Sequence, residues 1–368
     1  MTTIPIHASK DYNVIINRGS LGNLGQLVKD AMGLKEDPLS GKLSGKKICI
    51  ITDSTVNDLY GQTEHKAYQS LRSAGFDVYK FVFPGGEGTK SMETIEQILD
   101  YLTSKNFTRT DMLLALGGGI VGDVTGFAAS IYLRGIDFIQ VPTTLLAIVD
   151  SSVGGKTGVN LRAGKNLAGA FWQPRLVLFD PDVLETLSYD IILDGVAEAV
   201  KSGMIADKLI LETIIKKRNL NDHEFLTTLA ALAIEVKKKV VEEDEFESGS
   251  RQLLNFGHTL AHGIEKLSNY EISHGHAVAI GMKIVSIASD RLGWTVEKCS
   301  EDLIDILERF KFPLDCPYSA ADLAKVALSD KKRRGNEITL VITVAMGRCR
   351  LKTIPINKLE QFIEYGVK

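Results

Sequence analysis

Four of the seven histidines in this chain lie in one short stretch. His258 and His262 are four residues apart in "NFGHTLAHGIE", and His274 and His276 follow in "HGHAVAIGM". Residues four apart share one face of a helix, so His258 and His262 could bind one metal ion, as the histidine pair of a zinc protease does. Thr259 stands where those proteases have a catalytic glutamate, which excludes that reaction. The cluster could still bind a metal, transfer protons, contact an anion, or belong to the core.

A glutamate and a lysine could complete such a site. Glu198 and Lys201 are three residues apart in "DGVAEAVKSG", which puts them on one helix face. A surface ion pair is the simplest interpretation, but alanines and valines flank both residues, and a glutamate in such surroundings is often directed into a site. With two histidines, Glu198 would give the three protein ligands that leave one coordination position open for a substrate.

The stretch "ALGGGIVGD" predicts a dinucleotide-binding turn. Gly117, Gly119 and Gly122 match the pattern G-x-G-x-x-G between a predicted strand at 111–116 and a predicted helix. In that setting the glycines let the backbone approach a pyrophosphate at the helix N-terminus. A plain tight turn between strand and helix is the alternative.

The same pattern requires an acidic residue, about 20 residues further on, that contacts the ribose hydroxyls. Asp137 has that spacing but precedes a strand, whereas Asp53 directly follows the predicted strand 46–52. The position at the carboxyl end of a strand suits the contact better, which favours Asp53.

The stretch "DSSVGGKTG" is similar to a nucleotide-binding P-loop but lacks its first glycine, because Asp150 occupies that position. What remains is a glycine-rich turn that presents Lys156, followed by Lys165 and Asn166 in "AGKNLAG". We expect these residues on mobile glycine-rich loops, where lysine and asparagine suit an anionic, hydroxylated substrate. Solvated surface lysines are the alternative.

The elements that must position these residues change character along the chain. In the first half, apolar strands alternate with helices: strands at 46–52, 111–116 and 138–144, a helix ending at Gly75, and a helix capped by Ser91 with the apolar stripe Ile95, Ile98, Leu99 and Leu102. After Leu187 helical periodicity dominates, at 190–217, 224–245, 251–267, 275–293 and 300–310, with one strand at 336–347. The sequence therefore predicts an α/β, Rossmann-like N-terminal domain with a mostly parallel sheet over 1–188, and a mainly α-helical C-terminal domain over 189–368.

The amino-acid composition limits the classes of partner that the chain is expected to bind. The net charge is −3 and charged residues make up 24% of the chain, so we expect no general attraction to nucleic acid or to an anionic membrane. The N-terminus has no signal-peptide pattern, and no stretch of about 18 apolar residues could span a membrane. Four cysteines without a C-x-x-C pair indicate reduced thiols and a cytoplasmic enzyme. An anionic ligand would then need a local cluster of cations.

From about Asp53 to Met346 the chain resembles the 3-dehydroquinate synthase family, whose motifs it carries in order: "GGGIVGDVTGFAASIYLRG", "QVPTTLLAIVDSSVGGKTGVN", "GKNLAGAFWQP", "DGVAEAVKSG", "NFGHTLAHGIE", "HGHAVAIGM" and "DKKRRGN". The resemblance implies an NAD-binding Rossmann-like domain, a helical domain with a zinc or cobalt ion, a homodimer, and a lyase of the shikimate pathway. The implied reaction converts an anionic sugar phosphate, 3-deoxy-D-arabino-heptulosonate 7-phosphate, to 3-dehydroquinate and phosphate. It proceeds through transient oxidation by NAD, phosphate elimination, reduction and intramolecular aldol closure, so that NAD is regenerated in each turnover.

The resemblance also implies roles for individual residues. It places the metal on Glu198, His258 and His274, so that His262 transfers protons and contacts the substrate instead of binding the metal. The other catalytic residues it implies are Lys156, Lys201, Asn166 and Asp150. The substrate contacts it implies are Arg134, Lys165, Lys237, Arg251, Asn255 and Lys331, with Lys332 as the alternative to the last. The NAD contacts it implies are Asp53, Glu87, Lys90, Gly118, Gly119, Asp123, Thr143, Thr144, Lys156, Lys165, Thr186 and Leu187.

One residue departs from the family pattern. The family usually has H-G-E where this chain has His274, Gly275 and His276, and we expect His276 to support the metal ligands or the fold.

Two other functions are alternatives to 3-dehydroquinate synthase. A metal-dependent alcohol or glycerol dehydrogenase would share the glycine turn and the metal but would lack cations for a phosphate. Another sugar-phosphate cyclase is the second alternative, although the intact "GGKTGVN" and "NFGH" favour 3-dehydroquinate synthase.

Overall fold

A computed structural model describes residues 1–35, 43, 45–217, 219–220, 222–327, 333–334 and 336–367. The chain forms two compact units, Met1–Leu187 and Ser188–Lys368. The domain boundary predicted after residue 188 lies one residue from this division. Across the described ranges, every helix is too short or too polar to cross a membrane.

The N-terminal unit is built around a seven-stranded sheet with the strand order β1-β2-β9-β6-β5-β3-β4. The strands of this unit are β1 (Thr2–Ile6), β2 (Tyr12–Ile16), β3 (Lys47–Asp53), β4 (Asp77–Phe83), β5 (Met112–Gly117), β6 (Asp137–Pro142), β7 (Lys156–Leu161), β8 (Gly164–Phe171) and β9 (Leu176–Phe179). Of these, β7 and β8 form a separate hairpin. All neighbouring strands of the large sheet run parallel except β1 and β2. The predicted mostly parallel sheet is confirmed, and β3, β5 and β6 lie where the sequence places strands.

Helices cover this sheet, as the alternating pattern predicts. They are α1 (Leu24–Met32), α2 (Ser54–Val56), α3 (Lys66–Ser73), α4 (Met92–Ser104) and α5 (Gly119–Ile131). Ser91 caps α4, and its hydroxyl accepts the N–H of Thr94 at 3.3 Å. Ile95, Ile98 and Leu102 of the predicted stripe are buried in the core between α4 and the sheet. The period of 3.6 residues thus identified both the helix and the face that it buries.

The glycine-rich loops expected around Lys156 and Lys165 are instead a β-hairpin. Strands β7 and β8 pair antiparallel, from Lys156 opposite Phe171 to Leu161 opposite Gly164. The strand pattern is not recognisable in this stretch of sequence, because its glycines remove the alternation of large side chains. The expectation of mobile loops was therefore wrong, and these lysines stand on paired strands.

The C-terminal unit is mainly helical, which confirms the predicted class. Its elements are α6 (Tyr189–Ala206), α7 (Lys208–Lys216), α8 (His223–Glu243), α9 (His258–Leu267), α10 (His274–Arg291), α11 (Ser300–Arg309), α12 (Ala320–Ala327), α13 (Leu359–Val367) and the antiparallel strands β10 (Arg333–Arg334), β11 (Glu337–Ala345) and β12 (Arg348–Pro355). Helix α10 packs against α6, α9, α11 and α13, so it forms the centre of this unit.

Two of the predicted helical stretches are interrupted. The stretch 190–217 divides at Asp207, whose carboxylate accepts the N–H of Leu209 at 2.9 Å and caps α7. The stretch 251–267 contains a 3₁₀ segment, Ser250–Asn255, before α9 begins. Helical periodicity continues across both breaks because the apolar faces on either side bury against the same core.

Candidate active site

The glycine turn lies where the strand order of the N-terminal sheet reverses. Strand β3 has β4 on one side and β5 on the other, because the chain runs from β3 to β4 at the edge of the sheet and then crosses back to β5. Open parallel sheets bind ligands at such a point, outside the carboxyl ends of the strands. Strand β5 ends at Gly117 and α5 begins at Gly119, after Gly118 in extended conformation. The first amides of α5 therefore face the carboxyl edge of the sheet, as a pyrophosphate-binding turn requires.

Asp53 lies at the same edge. Ile51 pairs with Ala115, so Asp53, two residues further along its strand, is level with Gly117 on the neighbouring strand. Its carboxylate accepts the N–H of Val56 at 2.9 Å, which fixes the side chain at the start of α2. A carboxylate one strand away from the glycine turn is in the position that contacts a ribose in dinucleotide-binding sheets.

Asp137, the alternative by spacing, lies at the opposite edge. It pairs with Met112, the first residue of β5, and its carboxylate contacts the Lys10 ammonium at 3.3 Å. Because β5 and β6 run parallel, both begin at the amino-terminal edge of the sheet, away from the glycine turn. Position in the sheet therefore separates the two aspartates where spacing along the chain does not.

Five of the predicted N-terminal residues form one polar network. The buried Lys90 ammonium contacts Asp123 Oδ2 at 2.5 Å and donates a hydrogen bond to Asn166 Oδ1 at 2.6 Å. Glu87 Oε1 lies 3.4 Å from the Lys165 ammonium. Each charged side chain of this network therefore has a partner of opposite charge nearby.

Asn160 joins the two halves of this network. Its Nδ2 donates to Glu87 Oε1 at 2.8 Å, and its Oδ1 accepts the N–H of Asn166 at 2.9 Å. Its own N–H donates to the Lys90 carbonyl oxygen at 2.8 Å. The asparagine thus connects the hairpin to the segment before α4, and it holds Glu87, Lys90 and Asn166 together.

Four further predicted residues lie near this network, three of them on turns and one at the start of the hairpin. The N–H of Thr143 donates to the Gly117 carbonyl oxygen at 3.0 Å, which places Thr143 and Thr144 beside the glycine turn. Asp150 is half-buried in a π-helical turn. Lys156 begins the hairpin and is exposed, so a ligand can reach its ammonium.

The remaining N-terminal predictions lie on exposed segments. Arg134 has a φ of 68° and follows Leu133 with a φ of 50°. Left-handed conformations of such residues cost about 1–3 kcal/mol each and cluster at functional sites. The hydroxyl of Thr186 lies 2.8 Å from that of Tyr60, and Leu187 follows as the last residue of the unit.

In the C-terminal unit the three predicted metal ligands converge. Glu198, in the middle of α6, is fully buried. Its Oε1 lies 3.4 Å from Nε2 of His258 and 3.2 Å from Nε2 of His274. One ligand atom from each residue lies within 4.8 Å of the others, and the described part of the chain holds no second group of this kind. Two imidazoles and one carboxylate are a donor set typical of catalytic zinc.

Both imidazoles are oriented by contacts of their other nitrogen. Nδ1 of His258 lies 3.1 Å from the Phe256 carbonyl oxygen, and Nδ1 of His274 lies 3.3 Å from the buried Glu265 carboxylate. Such contacts fix the ring orientation of a metal-binding histidine. Both Glu198 oxygens are buried, and neither accepts a hydrogen bond of good geometry. Donor set, orientation and available carboxylate oxygens together fit a divalent metal ion.

Gly257 determines where the first of these imidazoles stands. It has a φ of 78° at the start of α9. A Cβ atom there would lie 2.9 Å from the backbone nitrogen of Met282 in α10. Only glycine therefore allows the start of α9, with His258, to pack this closely against the helix that carries His274.

The pKa values of Glu198, His258 and His274 are strongly shifted from their usual ranges. The Lys201 ammonium contacts Glu198 Oε2 directly and is 2% exposed. Burial opposes ionisation of Glu198, but Lys201 and His258 hold the pKa of this carboxyl well below its usual range. Burial lowers the pKa of His258 to about 4 in spite of the nearby carboxylate. For His274, the contacts with Glu198 and Glu265 outweigh burial and raise the pKa to about 10.

His262 lies beside this cluster and outside the group of ligand atoms. Its ring centroid is 5.8 Å from that of His258 and 6.5 Å from that of His274. Spacing of four residues puts His258 and His262 on one helix face, and of these two His258 contributes an atom to the ligand group with Glu198. A half-buried imidazole next to the cluster can exchange protons with a bound substrate.

Three predicted substrate contacts lie on α8 and the 3₁₀ segment. Lys237 and Arg251 are buried, at 5% and 1% exposed, and Asn255 ends the 3₁₀ segment. Cations held in place below the surface suit a ligand that carries a phosphate or a carboxylate. Lys331, together with its alternative Lys332, lies outside the described residues.

Asp244 shapes the loop that carries Arg251. Its carboxylate accepts the N–H groups of Ser248, Gly249 and Arg251 at 2.8, 2.7 and 3.0 Å. Partial burial opposes ionisation, but these donors lower the pKa of Asp244 to about 2. The Arg251 guanidinium also donates to the Glu245 carbonyl oxygen. The loop is thereby folded back on the end of α8.

Some polar residues of these sites do not stand out in the sequence. Glu265 is seven residues after His258, so the periodicity that links the histidines carries a signal for it too. Glu247 accepts the side-chain N–H of Asn255 at 2.9 Å. Glu247 and Asn160 make contacts between separate segments, and no local pattern marks such residues.

Comparison with known proteins shows the family. The sequence model for the N-terminal part of 3-dehydroquinate synthase matches residues 80–194, and the model for its C-terminal part matches residues 195–333. A 3-dehydroquinate synthase of Streptococcus suis (strain 05ZYH33) is 40% identical over 357 residues, which cover 96% of this chain and 97% of that protein.

Solved structures share the fold at lower identity. The structure of a 2-deoxy-scyllo-inosose synthase complexed with carbaglucose-6-phosphate, NAD⁺ and Co²⁺ is 25% identical, with a TM-score of 0.86, over 99% of this chain and 100% of that chain. An iron containing alcohol dehydrogenase is 14% identical, with a TM-score of 0.68, over 98% and 99%. The second likeness concerns the fold alone, since one fold hosts many reactions. The family models and the 40% identity over nearly the full length are specific, and the chain belongs to the 3-dehydroquinate synthase family.

Proposed function

We propose that this chain converts 3-deoxy-D-arabino-heptulosonate 7-phosphate to 3-dehydroquinate and phosphate, with NAD as a recycled cofactor. The observation that carries the proposal is the convergence of His258, His274 and Lys201 on the buried carboxylate of Glu198, in a member of this family. The enzyme is then a carbon–oxygen lyase of the shikimate pathway, acting in the cytoplasm as a homodimer.

The cofactors supply the redox chemistry. When bound, NAD accepts and later returns a hydride, and a zinc or cobalt ion polarises the substrate oxygen that changes between hydroxyl and carbonyl. Glu198, His258 and His274 hold the metal. Asp53 binds the ribose hydroxyls, and the first amides of α5 after Gly118 bind the pyrophosphate.

Metal uptake involves the protonation of one ligand. His258 is neutral at physiological pH because its pKa is about 4, so its Nε2 lone pair is available. His274, whose pKa the contacts with Glu198 and Glu265 raise to about 10, would have to be neutral to hold a metal ion. Metal affinity therefore increases as the pH rises toward that value.

Charged side chains position the substrate. Lys201, already fixed against Glu198, binds the substrate carboxylate or a ring hydroxyl close to the metal. Lys237 and Arg251 bind the phosphate, and their burial limits competition from water. In the N-terminal unit we assign substrate contacts to Arg134, Asp150, Lys156, Lys165 and Asn166, and NAD contacts to Glu87, Lys90, Asp123, Thr143, Thr144, Thr186 and Leu187, with Lys156 and Lys165 serving both.

His262 transfers protons. Its ring lies beside both histidine ligands and outside the group of ligand atoms, so we assign it to the substrate rather than to the metal. Elimination of phosphate requires a group that accepts a proton and later returns one, and an imidazole does both near neutral pH.

Phosphate release tests the proposal. The heptulosonate phosphate is incubated with the full chain, one added equivalent of Co²⁺, and NAD in an amount far below the substrate. We expect phosphate in proportion to the substrate consumed, with no accumulation of NADH. NADH formed in step with product would overturn the proposal in favour of a dehydrogenase, and a failure to release phosphate from this substrate would favour another cyclase.

A further inference from the structure

A second carboxylate on α6 contacts the N-terminus of the helix that carries His274. Asp194 lies one helical turn before Glu198. Its Oδ1 accepts a hydrogen bond from the Ser273 hydroxyl at 2.6 Å and from the His276 backbone N–H at 3.2 Å. The same oxygen lies 2.9 Å from Nδ1 of His276. Asp194 thus holds the residue before His274 and the residue two positions after it.

These contacts replace the usual cap of the helix. Ser273 is the N-cap residue of α10, but its hydroxyl makes no capping hydrogen bond. It instead contacts Asp194 and, at 2.6 Å, Nδ1 of His276. Asp194 supplies, from another helix, the acceptor that the first amides of α10 require, and its negative charge complements the helix N-terminus. The start of α10 is therefore fixed to α6 rather than capped by its own residues.

Backbone packing makes the same junction rigid. A Cβ atom at Gly275 would lie 2.2 Å from Cα of Asp194. Glycine is thus required between His274 and His276, because α6 and α10 touch there backbone to backbone. On the far side, the His276 ring packs against Phe312, with ring centroids 5.5 Å apart. Neither helix can slide along the other without breaking these contacts.

We propose that Asp194, Ser273 and His276 are positioning residues that set the distance between His274 and Glu198 and thereby the geometry of the metal site. This inference rests on the metal site of the proposed function. It also explains why a histidine suits position 276 in this chain. The imidazole Nδ1–H donates to the Asp194 carboxylate, a hydrogen bond that a glutamate side chain, which has no N–H, does not supply.

The test uses Co²⁺, whose visible absorption reports the arrangement of its ligands. The full chain is freed of metal with a chelator and titrated with Co²⁺, and the dissociation constant and the absorption spectrum are recorded. Asp194→Ala and His276→Leu should weaken Co²⁺ binding by about 10- to 100-fold, the range for residues that orient metal ligands, and should change the spectrum. His276→Asn should restore both, since the asparagine side-chain N–H can replace Nδ1–H.

Asp290→Asn is the matched control. Asp290 lies at the other end of α10, and its Oδ2 accepts the N–H groups of Ser300 and Cys299 at 2.9 and 3.3 Å. This variant should lower the thermal unfolding temperature through loss of a similar interhelical contact, and leave the Co²⁺ affinity and spectrum unchanged. A Co²⁺ spectrum altered equally by Asp290→Asn and Asp194→Ala would show a general effect of stability and overturn the proposal.

A second pair of variants keeps the test decisive if Asp194→Ala fails to fold. Ser273→Ala should weaken Co²⁺ binding because it removes the hydroxyl that donates to Asp194, and Ser273→Thr, which keeps the hydroxyl, should retain binding. Wild-type affinity and spectrum in both His276→Leu and Ser273→Ala would overturn the positioning role while the metal site stands. A wild-type chain that binds no Co²⁺ would instead overturn the metal site, and with it the proposed function.

Discussion

The polar residues of the N-terminal unit pair with one another, whereas those of the C-terminal cluster converge on a single carboxylate. Lys90 contacts Asp123 at 2.5 Å and Asn166 at 2.6 Å, in an arrangement that a sheet edge and a hairpin hold together. In the C-terminal unit, by contrast, an ammonium and two imidazoles all face Glu198, which is fully buried. A nucleotide that binds in the first region must therefore contact side chains that already pair with one another. In the second region, the charged side chains surround one carboxylate.

This difference predicts how each region responds to the loss of one side chain. In a buried cluster, removing one charge leaves its partner in a region of low dielectric, which costs far more than a surface contact contributes. In the paired network, Asn160 and the hairpin backbone retain the remaining partners.

Glu198→Ala should be the most damaging change. It leaves the buried Lys201 ammonium beside an apolar side chain, which we expect to lower the free energy of unfolding by about 3–5 kcal/mol. It also removes the ligand that both histidines face, so bound metal and phosphate release should both be lost. Urea unfolding and metal content per chain measure the two effects. If the variant kept its metal and its stability, the cluster would not depend on its central carboxylate.

His262→Ala should separate catalysis from metal binding. The His262 ring lies beside the ligand group but outside it, so the metal content should stay at one ion per chain. Turnover should fall by about 10²–10⁴-fold, the usual contribution of a proton-transfer group. His274→Ala is the matched variant, and it should lose metal as well as turnover. The reverse result, with metal lost only in His262→Ala, would show that the pair four residues apart binds the ion.

The contrast also explains what the sequence reveals. Strands β3 and β5 were predicted because apolar runs record burial directly, and α4 because its apolar residues recur with helical spacing. The hairpin of Lys156 and Lys165 was missed, since its glycines remove the alternation that identifies a strand. The breaks before α7 and α9 were missed because apolar periodicity continues through them.

Some site residues could likewise be predicted from the sequence, and others could not. Spacing pointed to His258 and His262 as a pair and to Asp137 for the ribose, but a spacing rule cannot reveal the sheet edge or the facing helix. The apolar flanks of Glu198 suggested it as a third ligand, but only the family resemblance selected His274 in place of His262. Asp194 came from the structure alone, because its contacts with the start of α10 cross 79 and 82 residues of chain.

A smaller effect is expected in the N-terminal network. Asp123→Asn removes the charge that faces Lys90 but retains a hydrogen-bond acceptor, and the hairpin still provides Asn166. The KM for NAD should rise by about 3- to 30-fold, equivalent to about 0.7–2 kcal/mol, with little change in stability. Asp137→Asn is the control, since its contact with Lys10 lies at the other edge of the sheet. An equal rise in KM in both variants would argue against a nucleotide site at the carboxyl edge.

The smallest effect should be a dependence of stability on acid pH at Asp244. Its folded-state pKa, about 2, lies below the value of about 3.9 expected in the unfolded chain. The contribution of this carboxylate to stability is therefore fully present above pH 4 and is lost as the pH falls from about 4 to about 2. Asp244→Asn removes the charge and keeps one acceptor oxygen, either for the amide of Ser248 or for those of Gly249 and Arg251, which bond to different oxygens of Asp244. We expect a loss of about 1 kcal/mol at pH 7. Urea unfolding of both proteins from pH 7 down to pH 2 measures the difference, which should shrink below pH 4 as Asp244 itself becomes neutral. A difference that stays constant over this range would show that shape rather than charge holds the loop, and Arg251 would then owe its position to packing alone.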